Sequence, residues 1–367
     1  MPTKYQFLIT NRETQGKRII DEHGTTDIPT QQEPKLQFGR YKAISKITSP
    51  LDYQIYVDNS DRTEDFTDAL HKPIEELGPS ARFFRELFEE MLDSDKEALI
   101  YIHGFKHPFD RFMVTLNLIE EGYVHQDSKI GHIIGFSWPA RAKVKDYEDD
   151  QTSAQISGKS LFQFLNTLQN FAAQAITNET QREAFLDRFN LMAASMGNRV
   201  VQYALDCFPV CHAKPLFNEV IHTGADVDID AYENGHAMVR MLSLAKRIHV
   251  YYTMLDDILG LSVIKNGKER LGRLGKTMDT ETFKNLVLVD VTALVSLARI
   301  LPSMCTTKDL LTYPVQHTYS TTIRAVQRDG VAIFNHIDTD KIPDRIPQFE
   351  DRWQLVYKPI AGFTQFT

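Results

Sequence analysis

Apolar positions along the 367-residue chain follow two alternating rhythms. Short runs rich in β-branched or aromatic residues, bounded by turn formers, occupy 98–104 (ALIYIHG), 132–138 (HIIGFSW), 189–195 (FNLMAAS), 217–225 (FNEVIHTGA), 247–253 (RIHVYYT) and 285–291 (NLVLVDV). Runs of this length with few polar interruptions predict strands covered on both faces. Between them, 160–176 places Leu161, Leu165, Leu168 and Phe171 at helical spacing, and the stretch after Gly197 lines up Val200, Val201, Ala204 and Leu205. Strands alternating with amphipathic helices predict an α/β fold with a doubly wound, mostly parallel sheet.

The first 95 residues break the rhythm. Strand-like runs at 5–10 and 53–58 are separated by the polar stretch EHGTTDIPTQQEP at 22–34. Partly antiparallel strands extending the same sheet are expected here. This divides the chain into N-terminal strands and loops at 1–95 and a core at 96–367, with candidate lid or pocket insertions at 140–155 and 258–283.

Composition narrows the class. Hydrophobic residues make up 42% and charged residues 25%, as in a globular protein, and a net charge of −8 argues against a nucleic-acid partner. The longest apolar stretch, 285–301, contains Asp290 and Arg299 and reads as buried structure, not a transmembrane segment. The opening MPTKYQFLIT has too short an apolar run for a signal-peptide core. Three cysteines, Cys207, Cys211 and Cys305, show no pairing or metal motif, so a reducing, cytoplasmic setting is expected. None of this bears on oligomeric state.

Chemistry concentrates at Ser195, in the string Ala193-Ala194-Ser195-Met196-Gly197 between a predicted strand and a predicted helix. That is the setting of a nucleophile elbow, in which small neighbours relieve a crowded backbone. A serine favoured merely as a helix N-cap would look the same in isolation. Partners separate the two readings. The Met196 amide, at the start of the helix, is one candidate oxyanion donor. The strand end at His103-Gly104 supplies a second in the Phe105 amide, with His103, Gly104 and Trp138 as candidate pocket residues. A base and an orienting acid must follow the serine in the chain. Asp226, Asp228 and Asp230 follow one strand and Asp256 and Asp257 the next; Asp256 is favoured, with Asp257 and then Asp226 behind it. Only His317 and His336 lie beyond Asp257, and His317, expected in a loop after the last buried strand, is favoured as the base.

Taken in order, these landmarks resemble an uncharacterised bacterial family of α/β-hydrolases of unknown function. They are TNR at 10–12, IHGF at 102–105, FSWPA at 136–140 followed by Tyr147 and Asp150, ASMGNRV at 194–200, GADVD at 224–228, VYYTMLDDIL at 250–259, RLG at 270–272 and HTY at 317–319. The resemblance implies the nucleophile at Ser195, the acid at Asp256 and the base at His317. Two positions depart from the family: Ala194 stands where a histidine is usual before the serine, and Leu255 where an asparagine often precedes the acid.

Other signals weaken on inspection. GRLGKT at 272–277 lacks the first glycine of a phosphate loop, and DVDID at 226–230 lacks the glycine and distal glutamate of a calcium loop. The expected function is therefore a serine hydrolase acting on a small-molecule acyl substrate, most simply a carboxylic ester, without metal or organic cofactor. The rivals are a catalytically silent, hydrolase-like binding or scaffold protein and a lipase or thioesterase.

Overall fold

The strand runs named between residues 98 and 291 end at the same rim of one sheet. The computed structural model describes residues 5–20, 35–44, 46, 49–56, 65–141, 143–209, 214–276, 283–306, 314–349 and 351–357. Its strands are β1 (Gln6–Thr10), β2 (Thr14–Gln15), β3 (Arg18–Ile19), β4 (Gln37–Lys42), β5 (Asp52–Ile55), β6 (Glu97–Ile102), β7 (Ile130–Ser137), β8 (Phe189–Ala194), β9 (Phe217–Thr223), β10 (Ala245–Tyr252), β11 (Leu286–Asp290), β12 (Arg345–Phe349) and β13 (Arg352–Leu355). Apart from the β2–β3 hairpin they form one sheet in the order β12-β13-β11-β10-β9-β8-β6-β7-β1-β4-β5. The strands from β13 to β1 in that order pair in parallel, while β12 at one edge and β4 and β5 toward the other run antiparallel to their inner neighbours.

The helices are α1 (Pro79–Ser94), α2 (Phe109–Tyr123), α3 (Tyr147–Ala175), α4 (Glu179–Leu186), α5 (Gly197–Asp206), α6 (Met241–Leu244), α7 (Asp257–Asn266), α8 (Leu271–Leu274), α9 (Thr292–Ile300), α10 (Val315–Thr322) and α11 (Arg324–Phe334). Strand side chains alternate between two cores, as the pleat requires. Ile100 and Ile102 pack with α1, α3 and α5, whereas Leu99 and Tyr101 pack with α2, α9 and α11. Phe84 stacks on Phe164 and Phe171 at 5.8 and 5.5 Å, joining α1 to α3. Each such pair contributes about 0.5–1.5 kcal/mol beyond its buried area.

The α/β class and mostly parallel sheet agree with the apolar rhythm. The described elements place several local expectations. Residues 147–155, expected within a lid insertion, are the first turns of the 29-residue α3. The region 258–283 contains α7 and α8, and its residues 277–282 lie outside the described residues, as does Cys211. The stretch 285–301 divides into β11 and α9, and no helix among the described residues is long and apolar enough to cross a membrane. His317 is on α10, not in a loop, and two further strands follow it.

Candidate active site

In a parallel sheet the loops after neighbouring strands gather at the carboxyl ends, and the candidate residues are found there. Ser195 sits between β8 and α5 with φ +52°, a left-handed conformation that non-glycine residues adopt only under constraint. The constraint comes from both sides. The Ser195 amide donates to Thr223 O at 2.9 Å, and the Asp226 amide donates to Ser195 O at 3.2 Å. The Asn198 side-chain amide donates to both Ala193 O (2.9 Å) and Ser195 O (3.0 Å), closing the turn from within. Asn198 Oδ1 is held in turn by His222 Nδ1 (2.6 Å), whose Nε2 meets the Tyr232 hydroxyl (2.7 Å), and burial pushes the His222 imidazole down to about 3, keeping it neutral.

Gly197 is required by contact. A Cβ there would stand 2.6 Å from His103 O and 2.7 Å from Ile102 O, so α5 can reach the end of β6 only through a glycine. Gly104 is equally constrained from the other side, where a Cβ would meet Ser195 Cβ at 2.6 Å.

The loop after β6 is pinned carbonyl by carbonyl. The Trp138 amide donates to His103 Nε2 (3.1 Å), which leaves the imidazole proton on Nδ1, and Nδ1–H donates to Gly104 O (2.9 Å). His107 Nδ1–H donates to Phe105 O (3.0 Å), and the Arg12 guanidinium donates to His107 O (2.8 Å) and Ser137 Oγ (2.8 Å). Burial and neighbouring positive charge push His103 well below the ordinary histidine value, and burial takes His107 to about 4. Buried Asp150 accepts from the Arg141 amide at 3.0 Å and the Lys106 amide at 3.5 Å, and burial raises its carboxyl to about 6. With its carbonyls held, the loop keeps Lys106 at φ +59° and leaves the Phe105 amide, like that of Met196, without a protein acceptor among the described residues. His103 and Trp138, expected to line a pocket, are both fully buried and stacked at 5.1 Å; they brace the loop instead.

Asp256 follows β10 as the N-cap of α7. Its Oδ1 accepts the Leu259 amide at 3.0 Å, and its Oδ2 accepts His317 Nδ1–H at 2.7 Å. Burial pulls the His317 imidazole down, but the charge and hydrogen bond of Asp256, with Asp226 behind it, carry it above its ordinary value. The ring lies over Gly224, whose Cβ direction points at His317 Cε1 and Nδ1 from 3.4 Å. Tyr319 Oη accepts the Gly224 amide at 2.7 Å, so α10 is seated on the turn bonded to Ser195. The other named residues point elsewhere. Asp257 is exposed and pairs with Arg299 at 2.9 Å, Asp228 pairs with Arg270, and Asp230 pairs with Lys268. His336 binds Glu97 and Glu219 at the opposite end of the sheet.

The model of one family, described as an alpha/beta hydrolase of unknown function (DUF900), matches residues 81–313. The chain belongs to that family. In a comparison with curated proteins, none matched. The family match takes in the loop after β6, the turn at Ser195 and Asp256, and it ends four residues before His317. Arg12, His107, Asn198 and His222 were given no role from the sequence. Arg12 and Asn198 stood in named landmarks, but nothing in a linear string shows that their hydrogen bonds close on loops more than 90 residues away or on their own turn.

Proposed function

We propose that this α/β-hydrolase is a carboxylic-ester hydrolase in which Ser195 is the nucleophile, His317 the general base and Asp256 the residue that orients it. The observation that carries the reading is the 2.7 Å bond from His317 Nδ1 to a carboxylate fixed by a helix N-cap, on a ring seated against the nucleophile turn. With Nδ1 held, Nε2 is the nitrogen left to take the serine proton. No hydrogen bond joins the Ser195 hydroxyl to His317 in this arrangement, a gap that substrate binding has to close.

Ser195 Oγ attacks the acyl carbon as its proton passes to His317 Nε2. The oxyanion develops between the Phe105 and Met196 amides, each contributing about 3 kcal/mol in comparable sites. His317 then returns the proton to the departing alkoxide, leaving an acyl-serine. A water, deprotonated by the same imidazole, attacks that carbonyl and restores the enzyme. The buried Asp256 carboxylate stabilises the imidazolium at each stage without taking the proton.

A panel of p-nitrophenyl esters of graded chain length tests the reading. Turnover that is lost in both Ser195→Ala and His317→Asn supports it. Absence of turnover in the native chain across the panel favours the silent binding protein, and preference for the longest acyl chains moves the substrate toward lipids.

A further inference from the structure

A second carboxylate, Asp226, stands beside the site and takes no part in the steps above. It is 2% exposed, two residues beyond the glycine under the His317 ring. Its attachments reach three supports of the site. Its amide donates to Ser195 O at 3.2 Å. Its Oδ2 accepts the Tyr147 hydroxyl at 2.7 Å, and the Tyr147 ring meets the edge of Phe105 at 5.4 Å, on the loop that offers the Phe105 amide. Its Oδ1 accepts the Ser262 hydroxyl on α7, the helix that Asp256 caps. Asn266 closes the cluster by donating to Tyr147 Oη at 3.0 Å. Arg270 Nε at 3.5 Å and Arg199 at 3.8 Å place positive charge beside the buried carboxylate.

We propose that Asp226 is a positioning residue for the triad: it ties the nucleophile turn, the Phe105 loop and the acid-bearing helix to one buried carboxylate, and its negative charge acts on the His317 imidazole. This rests on the catalytic reading of Ser195, His317 and Asp256. The ionisable groups acting on His317 are Asp256 at the start of α7 and Asp226 after β9, and its own charge reaches His107 after β6, with Arg199 and Arg270 facing Asp226 in turn. Asp226 and Asp256 both favour the protonated ring, so removing the Asp226 charge lowers the pH at which His317 titrates.

The test is an NMR titration of ¹⁵N-histidine-labelled full-length protein, with the His317 signal assigned by His317→Asn, in the native chain, Asp226→Asn and Asp226→Ala. Asp226→Asn keeps the shape and one accepting oxygen, with the hydroxyl facing its NH2 turned to accept, and is expected to lower the His317 midpoint by up to about one unit while kcat on p-nitrophenyl acetate falls less than about tenfold. Asp226→Ala abandons both contacts and is expected to cost about 100-fold in kcat, a loss that the asparagine variant largely restores. A His317 midpoint in folded Asp226→Asn equal to that of the native chain overturns the proposal. Because the titration needs no turnover, an inactive native chain defeats the ester-hydrolase reading while the midpoint still decides the effect of Asp226 on the ring.

Discussion

Gly104 lies against Ser195 so closely that a Cβ at position 104 would stand 2.6 Å from Ser195 Cβ and 3.3 Å from its Oγ. Neither side chain keeps its place if both are present. Gly104→Ala is therefore expected to leave a folded protein whose kcat drops about 100-fold, the scale of a displacement near 1 Å in a reacting group. Steady-state kinetics beside a thermal melt check this; unchanged kcat would mean that the serine position is not critical.

On the proposed reading the Asp256–His317 pair sets the pH dependence. A general base works only as neutral imidazole, and the paired ring holds its proton to a higher pH than an ordinary histidine. The acid limb of kcat/KM is thus expected above about pH 6.5. Asp256→Asn should lower kcat by about 10⁴-fold, as loss of the orienting acid does in comparable triads, whereas Asp226→Asn costs far less. Equal losses in the two variants would reassign the acid.

Trp138 gives a test of the loop brace. Its indole N–H donates to His103 O at 2.8 Å, with both residues fully buried. Trp138→Phe keeps a ring for stacking but leaves that carbonyl without its donor, at an expected cost of about 1–3 kcal/mol. Urea unfolding measures the loss. Activity should fall with it, because the Phe105 amide depends on the same loop.

These residues also mark what the chain made legible. Ser195, Asp256 and His317 stand out as candidates because strand-to-turn transitions leave local signatures: a small-x-serine-x-glycine string, an acid after a buried run, a histidine late in the chain. The parallel sheet was legible for the same reason, through strands with two covered faces. Asp256 doubles as an N-cap, which a local reading can suggest but not connect to His317, 61 residues away. His103 and Trp138 were read as pocket residues because aromatic and imidazole groups beside a catalytic turn suit either role. Only packing distinguishes a wall from a brace. The last strands, β12 and β13, are not legible because Pro347 and scattered charges hide a two-residue rhythm.

His336, the histidine left out of the triad, anchors the far end of the sheet. Its Nε2 lies 2.8 Å from Glu97 Oε1 and its Nδ1 3.2 Å from Glu219 Oε1, while Arg247 also grips Glu219. Burial pulls the imidazole down, but bonds to the two glutamates raise it above its ordinary value. Burial likewise opposes ionisation of Glu219, yet His249 at 3.5 Å and bonds from His336 and Arg247 bring it to about 2. A histidine raised by folding stabilises fully below its unfolded value, and that gain is lost as pH climbs through the folded value. A carboxylate lowered by folding stabilises above its unfolded value and loses that gain as pH falls toward the folded one. Both contributions are present between about pH 4.5 and 6.5. His336→Gln is accordingly expected to depress the urea midpoint more at pH 5.5 than at pH 9, and an equal depression at both would show that the bridge carries no charge.

Intact-mass and peptide-level analysis after treatment with a fluorophosphonate probe bears most directly on the triad. Ester-hydrolase chemistry requires a single adduct on Ser195, formed faster above the titration of His317, abolished in Ser195→Ala and slowed by orders of magnitude in Asp256→Asn. A native chain that stays unmodified, or a Ser195→Ala chain that labels at the native rate, would contradict it.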